Sequence, residues 1–155
     1  MSALRIGEGL TRLGLGDRSG PPAHLVGVPF VCTDPSGAGD LEQLRRARVL
    51  QCALSRVCAV CAQTLTHPLV LVGTPAEADD NAFRVPPVHP GCSDELLSLL
   101  HAATGPVLGH PVPAAGRERG WTVVATGGFD LVRPGTRDGL HVFRPNSVVE
   151  RRDDA

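Results

Sequence analysis

The chain of 155 residues contains no lysine and no tyrosine, and all 15 of its basic residues are arginine. The lack of lysine excludes Schiff-base chemistry and lysine-dependent phosphate loops, and the lack of tyrosine excludes a tyrosine acid or nucleophile. Aromatic residues make up only 3% of the chain, which leaves few rings to stack on nucleic-acid bases. The net charge is −1, so no overall positive field attracts nucleic acid. These absences argue against a nucleic-acid partner.

Long hydrophobic runs are also missing. No apolar run approaches the roughly 20 residues that span a bilayer, and the N-terminus lacks the apolar segment of a signal peptide. Hydrophobic residues make up 42% and charged residues 20% of the chain, as is typical of a folded soluble protein. We therefore expect a cytoplasmic protein with no membrane partner, in which the five cysteines do not form a disulfide framework.

The composition predicts one compact domain with two irregular ends. Residues 1–22 are glycine-rich and end in Gly-Pro-Pro, which predicts a flexible N-terminal arm. Residues 23–150 are long enough for a single domain with its own core. Residues 151–155 are charged and are expected to fray.

Apolar runs and helical spacing together predict an α+β fold. Short apolar runs bounded by turn residues predict strands at 23–32, 69–73, 82–85, 121–126, 129–132, 140–144 and 147–149. Gly127-Gly128 predicts a hairpin between two of these strands, and the segment around Glu77 reads as a polar loop. A longer helix is predicted to begin at Asp40 with a capping box and to run to about residue 57, and a shorter one to follow Pro90.

Two pairs of metal-ligand residues give the strongest functional signal. Cys58 and Cys61 are separated by two residues, and so are His89 and Cys92. Two such pairs can close a tetrahedron around one zinc ion, and a helix N-terminus favours the thiolate form of Cys92. The order of a CxxC turn, a β-hairpin and an HxxC pair at a helix start is the layout of a treble-clef-like zinc knuckle. We place this knuckle at residues 58–104, packed with short flanking strands and the longer helix.

The ligand set favours a structural metal. Four protein ligands leave no open coordination position, as in structural zinc sites. An apparent zinc contribution of about 10–16 kcal/mol rivals the total stability of about 5–15 kcal/mol of an ordinary domain. One position departs from the usual pattern, because the residue after the second cysteine is commonly glycine and is Ala62 here.

Cys52 leaves a second cofactor open. The four thiols of Cys52, Cys58, Cys61 and Cys92 could instead hold an iron–sulfur cluster. Cys52 also lies near the inward stripe of the longer predicted helix, where a free cysteine packs as a small hydrophobic residue. We favour the packing role for Cys52, and zinc as the cofactor.

The segment from Cys58 to about Leu100 carries further features in a fixed order. A CxVCxxxL pattern begins at Cys58, an apolar strand ends in Val72-Gly73, and a PPxHxxC pattern ends at Cys92 before a leucine-rich helix. In these features the chain resembles a group of small zinc-knuckle proteins from actinobacteria and their phages. The resemblance covers about half of the chain and implies a metal site and a bacterial origin. The group has no established activity, so the resemblance implies no reaction.

No catalytic motif accompanies the metal pattern. The chain lacks GxSxG, HExxH and GxGxxG, and its remaining histidines follow no family spacing. We therefore expect a zinc-stabilised accessory or protein-interaction module, and favour this non-catalytic function over an enzyme. One alternative is a small zinc-dependent enzyme with an opened Cys3His site, in which His67 or His101 acts as acid or base. The other is a zinc-binding regulator that contacts nucleic acid through Arg45, Arg46, Arg48 and Arg84.

Overall fold

A computed structural model describes residues 28–111, 120–137 and 139–153 of the chain. In chain order its elements are α1 (Arg46–Ser55), β1 (Leu69–Gly73), α2 (Pro75–Asp79), α3 (Pro90–Ala102), β2 (Thr122–Thr126), β3 (Phe129–Val132), β4 (Val142–Pro145) and β5 (Val148–Asp153). The α+β class is confirmed. No helix among the described residues combines the length and the apolar character that a membrane crossing requires. The predicted arm at 1–22 lies outside the described residues.

Two antiparallel sheets form within the described residues. The larger has the strand order β1-β2-β5, and the smaller consists of β3 and β4. Strand β1 pairs with β2 so that Leu69 lies opposite Thr126 and Gly73 opposite Thr122. All five residues of β1 are buried, which explains its unbroken apolar sequence, since a strand covered on both faces does not alternate.

The core packs around β1 and the helix that lies against it. Strand β1 contacts α3, whose inward residues Leu96, Leu97 and Leu100 are buried. The largest fully buried side chains are Trp121, Phe83 and Phe143. The CxxC turn belongs to the same hydrophobic cluster, so the first pair of predicted ligands sits in the core and not on a loose loop.

The hairpin predicted at Gly127-Gly128 was wrong. Strands β2 and β3 follow each other in the chain but belong to different sheets. The Gly127 N–H donates to the Ser147 carbonyl (3.0 Å), and the Asn146 N–H donates to the Gly128 carbonyl (3.1 Å). The two glycines therefore bond to the turn before β5, because each flanking strand finds its partner elsewhere.

The predicted start of the longer helix was also wrong, because α1 begins at Arg46 and not at Asp40. The Asp40 carboxylate accepts a hydrogen bond from the Glu42 N–H (3.0 Å), which makes a local turn. The Arg45 N–H donates to the Val31 carbonyl (2.9 Å) and holds Arg45 in an extended conformation. Because of this hydrogen bond to a distant segment, the helix begins about one and a half turns later in the chain than predicted.

Three further segments differ from the sequence prediction. A 3-10 turn at Phe30–Cys32 replaces the end of the strand predicted at 23–32, and residues 23–27 lie outside the described range. No strand forms at 82–85, where Phe83 makes a single bridge to Phe143. The tail does not fray from Arg151, because β5 continues to Asp153 by pairing with β2.

Candidate metal centre

The structure brings the four predicted ligands together. Cys58, Cys61, His89 and Cys92 each offer one ligand atom, and these atoms all lie within 4.8 Å of one another. The His89 Nδ1 atom lies 3.4 Å from the Cys61 sulfur and 3.8 Å from the Cys92 sulfur. Tetrahedral zinc, with bonds of about 2.3 Å to sulfur and about 2.0–2.1 Å to nitrogen, separates these atoms by about 3.6 Å. The observed distances bracket that value, so the group can hold one metal ion.

Backbone hydrogen bonds shape the turn that carries the first pair. Val57 and Thr64 form an antiparallel bridge on either side of it. Inside the bridge, the Cys58 N–H donates to the Gln63 carbonyl (2.8 Å). The Val60 N–H donates to the Cys58 sulfur (3.3 Å), an arrangement that favours negative charge on that sulfur.

Ala62 occupies the position where a glycine is common in such turns. Its φ is 63°, in the left-handed region, and its N–H donates to the Cys58 carbonyl (2.9 Å). For a residue with a Cβ, this conformation costs about 1–2 kcal/mol. The turn therefore keeps its geometry with alanine at that cost.

The second pair lies at the start of α3. Pro90 is the first residue of the helix, where its missing N–H costs nothing because that position lacks an intrahelical partner. His89 precedes it with an extended backbone, and the Ser93 N–H donates to the His89 carbonyl (2.9 Å). This local arrangement places His89 and Cys92 on the side of α3 that meets the CxxC turn.

The other nitrogen of the His89 ring is bonded to the first turn. The His89 Nε2 atom lies 2.8 Å from the Thr64 carbonyl oxygen, and donating to this acceptor requires a proton on Nε2. The Nδ1 lone pair is then free to bind a metal. The turn that carries Cys58 and Cys61 therefore also orients the imidazole of the second pair.

Electrostatic effects concentrate negative charge on sulfur. Burial opposes ionisation of Cys58, but hydrogen bonds from Cys61, Cys92 and His89 outweigh it and lower the Cys58 pKa strongly. Hydrogen bonds to Cys58 and Cys61 raise the His89 pKa to about 10. Cys92 has its own hydrogen bonds with Cys58 and Cys61, and these raise the pKa of the Cys92 thiol. A divalent cation supplies the positive charge that such a cluster attracts, and it displaces the remaining protons.

Cys52 and Cys32 are not members of the metal-ligand group. Both side chains are fully buried in the core. Burial is the main reason that the pKa of each thiol rises to about 12. Both therefore remain neutral thiols, which agrees with the packing role expected for Cys52.

The two histidines considered for acid–base chemistry lie outside the ligand group as well. The His67 Nε2 atom lies 2.7 Å from the Gly127 carbonyl oxygen on an exposed surface. His101 is exposed in the last turn of α3, at the opposite end from the ligands. Neither observation supports a catalytic role beside the metal.

Three of the four arginines considered for nucleic-acid contact donate side-chain hydrogen bonds to backbone carbonyls, and one of these bonds runs from Arg46 to the Arg137 carbonyl. Arg48 donates to the carbonyls of Thr33 (3.3 Å) and Asp34 (3.0 Å). Arg84 donates to the Gly109 carbonyl (2.8 Å). These bonds occupy N–H groups that a phosphate backbone would need, which weakens the regulator alternative.

A buried Glu77–His110 pair was not predicted from the sequence. The segment predicted as a polar loop contains α2, capped by Thr74, whose side chain accepts from the Glu77 N–H. The buried Glu77 carboxylate lies 2.5 Å from the His110 Nε2 atom, and the His110 Nδ1 atom lies 3.2 Å from the Val107 carbonyl. Both ring nitrogens of His110 therefore face oxygen atoms. The Thr-Pro-x-Glu pattern signals this capping box, but nothing in the sequence signals His110.

The Glu77 carboxylate is saturated with donors. Burial raises its pKa, but the hydrogen bond and charge of His110 and the N–H groups of Thr74 and Arg84 outweigh burial and lower it. The Arg84 guanidinium adds an ion pair at 3.5 Å. With its oxygens occupied, Glu77 joins α2 to two other segments and is not placed to act as a general base.

Comparison of the chain with protein-family models, with curated proteins and with solved structures found no match. The fold and the site by themselves define the class: a mixed α+β chain with a Cys3His group that could bind a metal ion.

Proposed function

We propose that this protein is a zinc-stabilised accessory module of bacterial origin that acts in the cytoplasm through protein contacts and not through catalysis. The observation that carries the proposal is the Cys3His group itself, with all four ligand atoms within 4.8 Å and its imidazole oriented by a backbone carbonyl. The resemblance of the segment from Cys58 to Leu100 to actinobacterial zinc-knuckle proteins points the same way.

The donor set favours zinc over other metals. Three thiolates and one imidazole are soft ligands, which select zinc over magnesium or calcium. An iron–sulfur cluster contains several metal atoms and spreads its thiolates further apart than a single ion does. The compact ligand group and the absence of Cys52 from it therefore favour one zinc ion over a cluster.

The chain order around the site supports a treble-clef-like arrangement. The Val57–Thr64 bridge encloses the CxxC turn, as the strands of a zinc knuckle do. Strand β1 then pairs with the segment just before the second ligand pair, through two hydrogen bonds between Val70 and Val88 (3.0 and 2.8 Å). Helix α3 follows directly, with His89 and Cys92 at its start.

The site supports a structural role for the metal. Four protein ligands complete a tetrahedron, so no position is left for a substrate or a reactive water. Cys58 and Cys61 are buried within the core cluster. Zinc at this point would connect the CxxC turn to α3 and so stabilise the middle of the domain.

Strand β5 supports the proposed protein contact. It pairs with β2 along one edge, and among the described residues no strand pairs with its other edge. All six residues of β5 are exposed, including the apolar side chains of Val148 (53%) and Val149 (76%). An open edge presents N–H and C=O groups that an extended segment of a partner protein can pair with. We propose such a segment as the occupant of this edge.

The metal is tested by elemental analysis and a visible spectrum of the untagged protein. We expect about one zinc per chain and no colour. Cys92→Ser should lose the zinc and unfold the knuckle, as should chelation of the wild type. A brown protein containing iron, or a metal-free protein with unchanged stability, would contradict the proposal.

The partner surface is tested by affinity capture followed by reconstitution with the purified partner. Val149→Asp should abolish binding by placing a charge on the β5 edge, while zinc content and folding stay unchanged. Leu54→Asp is the matched control, because Leu54 is also apolar and exposed (65%) but lies on α1. A partner that both variants lose equally, or that neither variant loses, would show that β5 is not the binding edge.

A further inference from the structure

A cavity lies between α1 and the segment that joins β3 to β4. Its volume is about 420 Å³. The residues that matter for its chemistry are Arg46, Leu50, Arg133, Pro134, Arg137 and His141. None of them belongs to the Cys3His group.

Three arginines line this cavity. Arg46 is the first residue of α1, while Arg133 and Arg137 come from the segment after β3. Within the described part of the chain, none of the three has a carboxylate at ion-pair distance. Arg46 donates a hydrogen bond to the Arg137 carbonyl, which holds the two sides of the cavity together.

The N-terminus of α1 adds to the positive field. The residue before the helix, Arg45, provides no side-chain hydrogen bond to the first turn. The N–H groups of that turn therefore lack a side-chain acceptor, and the helix dipole places partial positive charge there. Arg46 stands at this end of α1.

His141 is the most informative residue in the cavity wall. Its side chain is only 6% exposed, yet its Nδ1 atom has no hydrogen-bond partner among the described residues. Burial, and next the charges of Arg46 and Arg133, lower its pKa, so the ring is neutral. His141 is therefore a neutral ring in the cavity wall, beside Arg46 and Arg133.

We propose that this cavity binds the phosphate group of a small phosphorylated molecule. Guanidinium groups match phosphate oxygens with paired N–H donors, and three arginines offer more charge and more donors than one carboxylate can use. Leu50 and Pro134 provide apolar walls, and a cavity of this volume has room for the organic part of the ligand. The proposal is independent of the metal and of the β5 edge.

The first test titrates inorganic phosphate into the full-length protein, with chloride added to hold the ionic strength constant. We expect saturable binding of one phosphate per chain by calorimetry. The ring resonances of His141 should shift in step with this binding, and those of exposed His101 should not. Titration with acetate should give much weaker binding, and a phosphomonoester should bind more tightly than inorganic phosphate. Absence of saturation, or equal binding of acetate, would overturn the proposal.

Variants separate a defined site from a diffuse positive surface. Arg133→Gln should weaken phosphate binding by about tenfold or more, because it removes a charged hydrogen-bond donor. Arg152→Gln makes the same charge change on exposed β5 and should leave binding unchanged. Both arginines are exposed, so neither change should unfold the domain. Equal weakening by the two variants would show general charge attraction and would refute a site at Arg133.

Discussion

The Nε2 atom of His89 lies 2.8 Å from the carbonyl oxygen of Thr64. Thr64 closes the turn that carries Cys58 and Cys61, so the first ligand pair orients the imidazole of the second. The hydrogen bond places the ring proton on Nε2 and leaves Nδ1 for the metal. The four ligands therefore depend on one another. Substitution of a ligand should change the metal content, whereas substitution of a residue outside the ligand group should not.

His89→Ala should remove the metal, because three thiolates without the imidazole leave the tetrahedron incomplete. Loss of structural zinc removes a contribution of about 10–16 kcal/mol, so the knuckle should unfold. His89→Cys should retain zinc, since a set of four cysteine thiolates is also common in structural sites. The metal-to-chain ratio by elemental analysis measures both. His101→Ala, at the other end of α3, is the control and should keep its metal.

Cys52→Ala should leave the zinc content at about one per chain. Cys52 is fully buried and lies outside the ligand group, so the change removes only packing, at a cost of about 1 kcal/mol. Elemental analysis and urea unfolding measure the two effects separately. A fall in metal content would instead place Cys52 among the ligands and favour the iron–sulfur alternative.

Ala62→Gly should stabilise the protein by about 0.5–1 kcal/mol. The φ of 63° costs alanine about 1–2 kcal/mol, and glycine avoids that cost while losing some chain entropy on folding. The control is Ala47→Gly in α1, which should destabilise by a similar amount because helical φ suits alanine. Urea unfolding of the metal-loaded proteins gives both values. Stability changes of the same sign would contradict the assigned strain at Ala62.

Glu77→Gln should lower stability by about 3 kcal/mol at neutral pH, because it breaks the buried Glu77–His110 pair. The folded-state pKa of Glu77 lies below its usual 4.5. Its contribution is therefore complete above that unfolded value and is lost as the pH falls through the folded value.

The measurement is urea unfolding over a series of pH values below 7. The difference between wild type and Glu77→Gln should shrink as the pH drops below 4.5, and acid release of metal affects both proteins alike. Glu150→Gln, an exposed change on β5, should stay within about 0.5 kcal/mol of wild type throughout. A difference that is independent of pH would argue against an ionised Glu77.

The sequence by itself determined the candidate ligands. Each pair depends on local geometry alone: a four-residue turn at Cys58–Cys61, and a helix start at Pro90 that places His89 and Cys92 on one side. Strand β1 and helix α3 were also predictable, because an unbroken apolar run and a proline at the first helical position are local signals. Such features follow from short-range sterics and hydrogen bonding, which neighbouring residues specify.

Only the tertiary structure decided which segments meet. The glycine pair after β2 predicted a hairpin, but β2 pairs with β1 and β5, while β3 pairs with β4. Arg45 is held extended by Val31, and Glu77 pairs with His110 at a distance of 33 residues. Local rules cannot rank these long-range partners, since the choice depends on competition among all segments for the same backbone groups and the same core. The cavity lined by Arg46 and His141 likewise depends on which distant segments lie together.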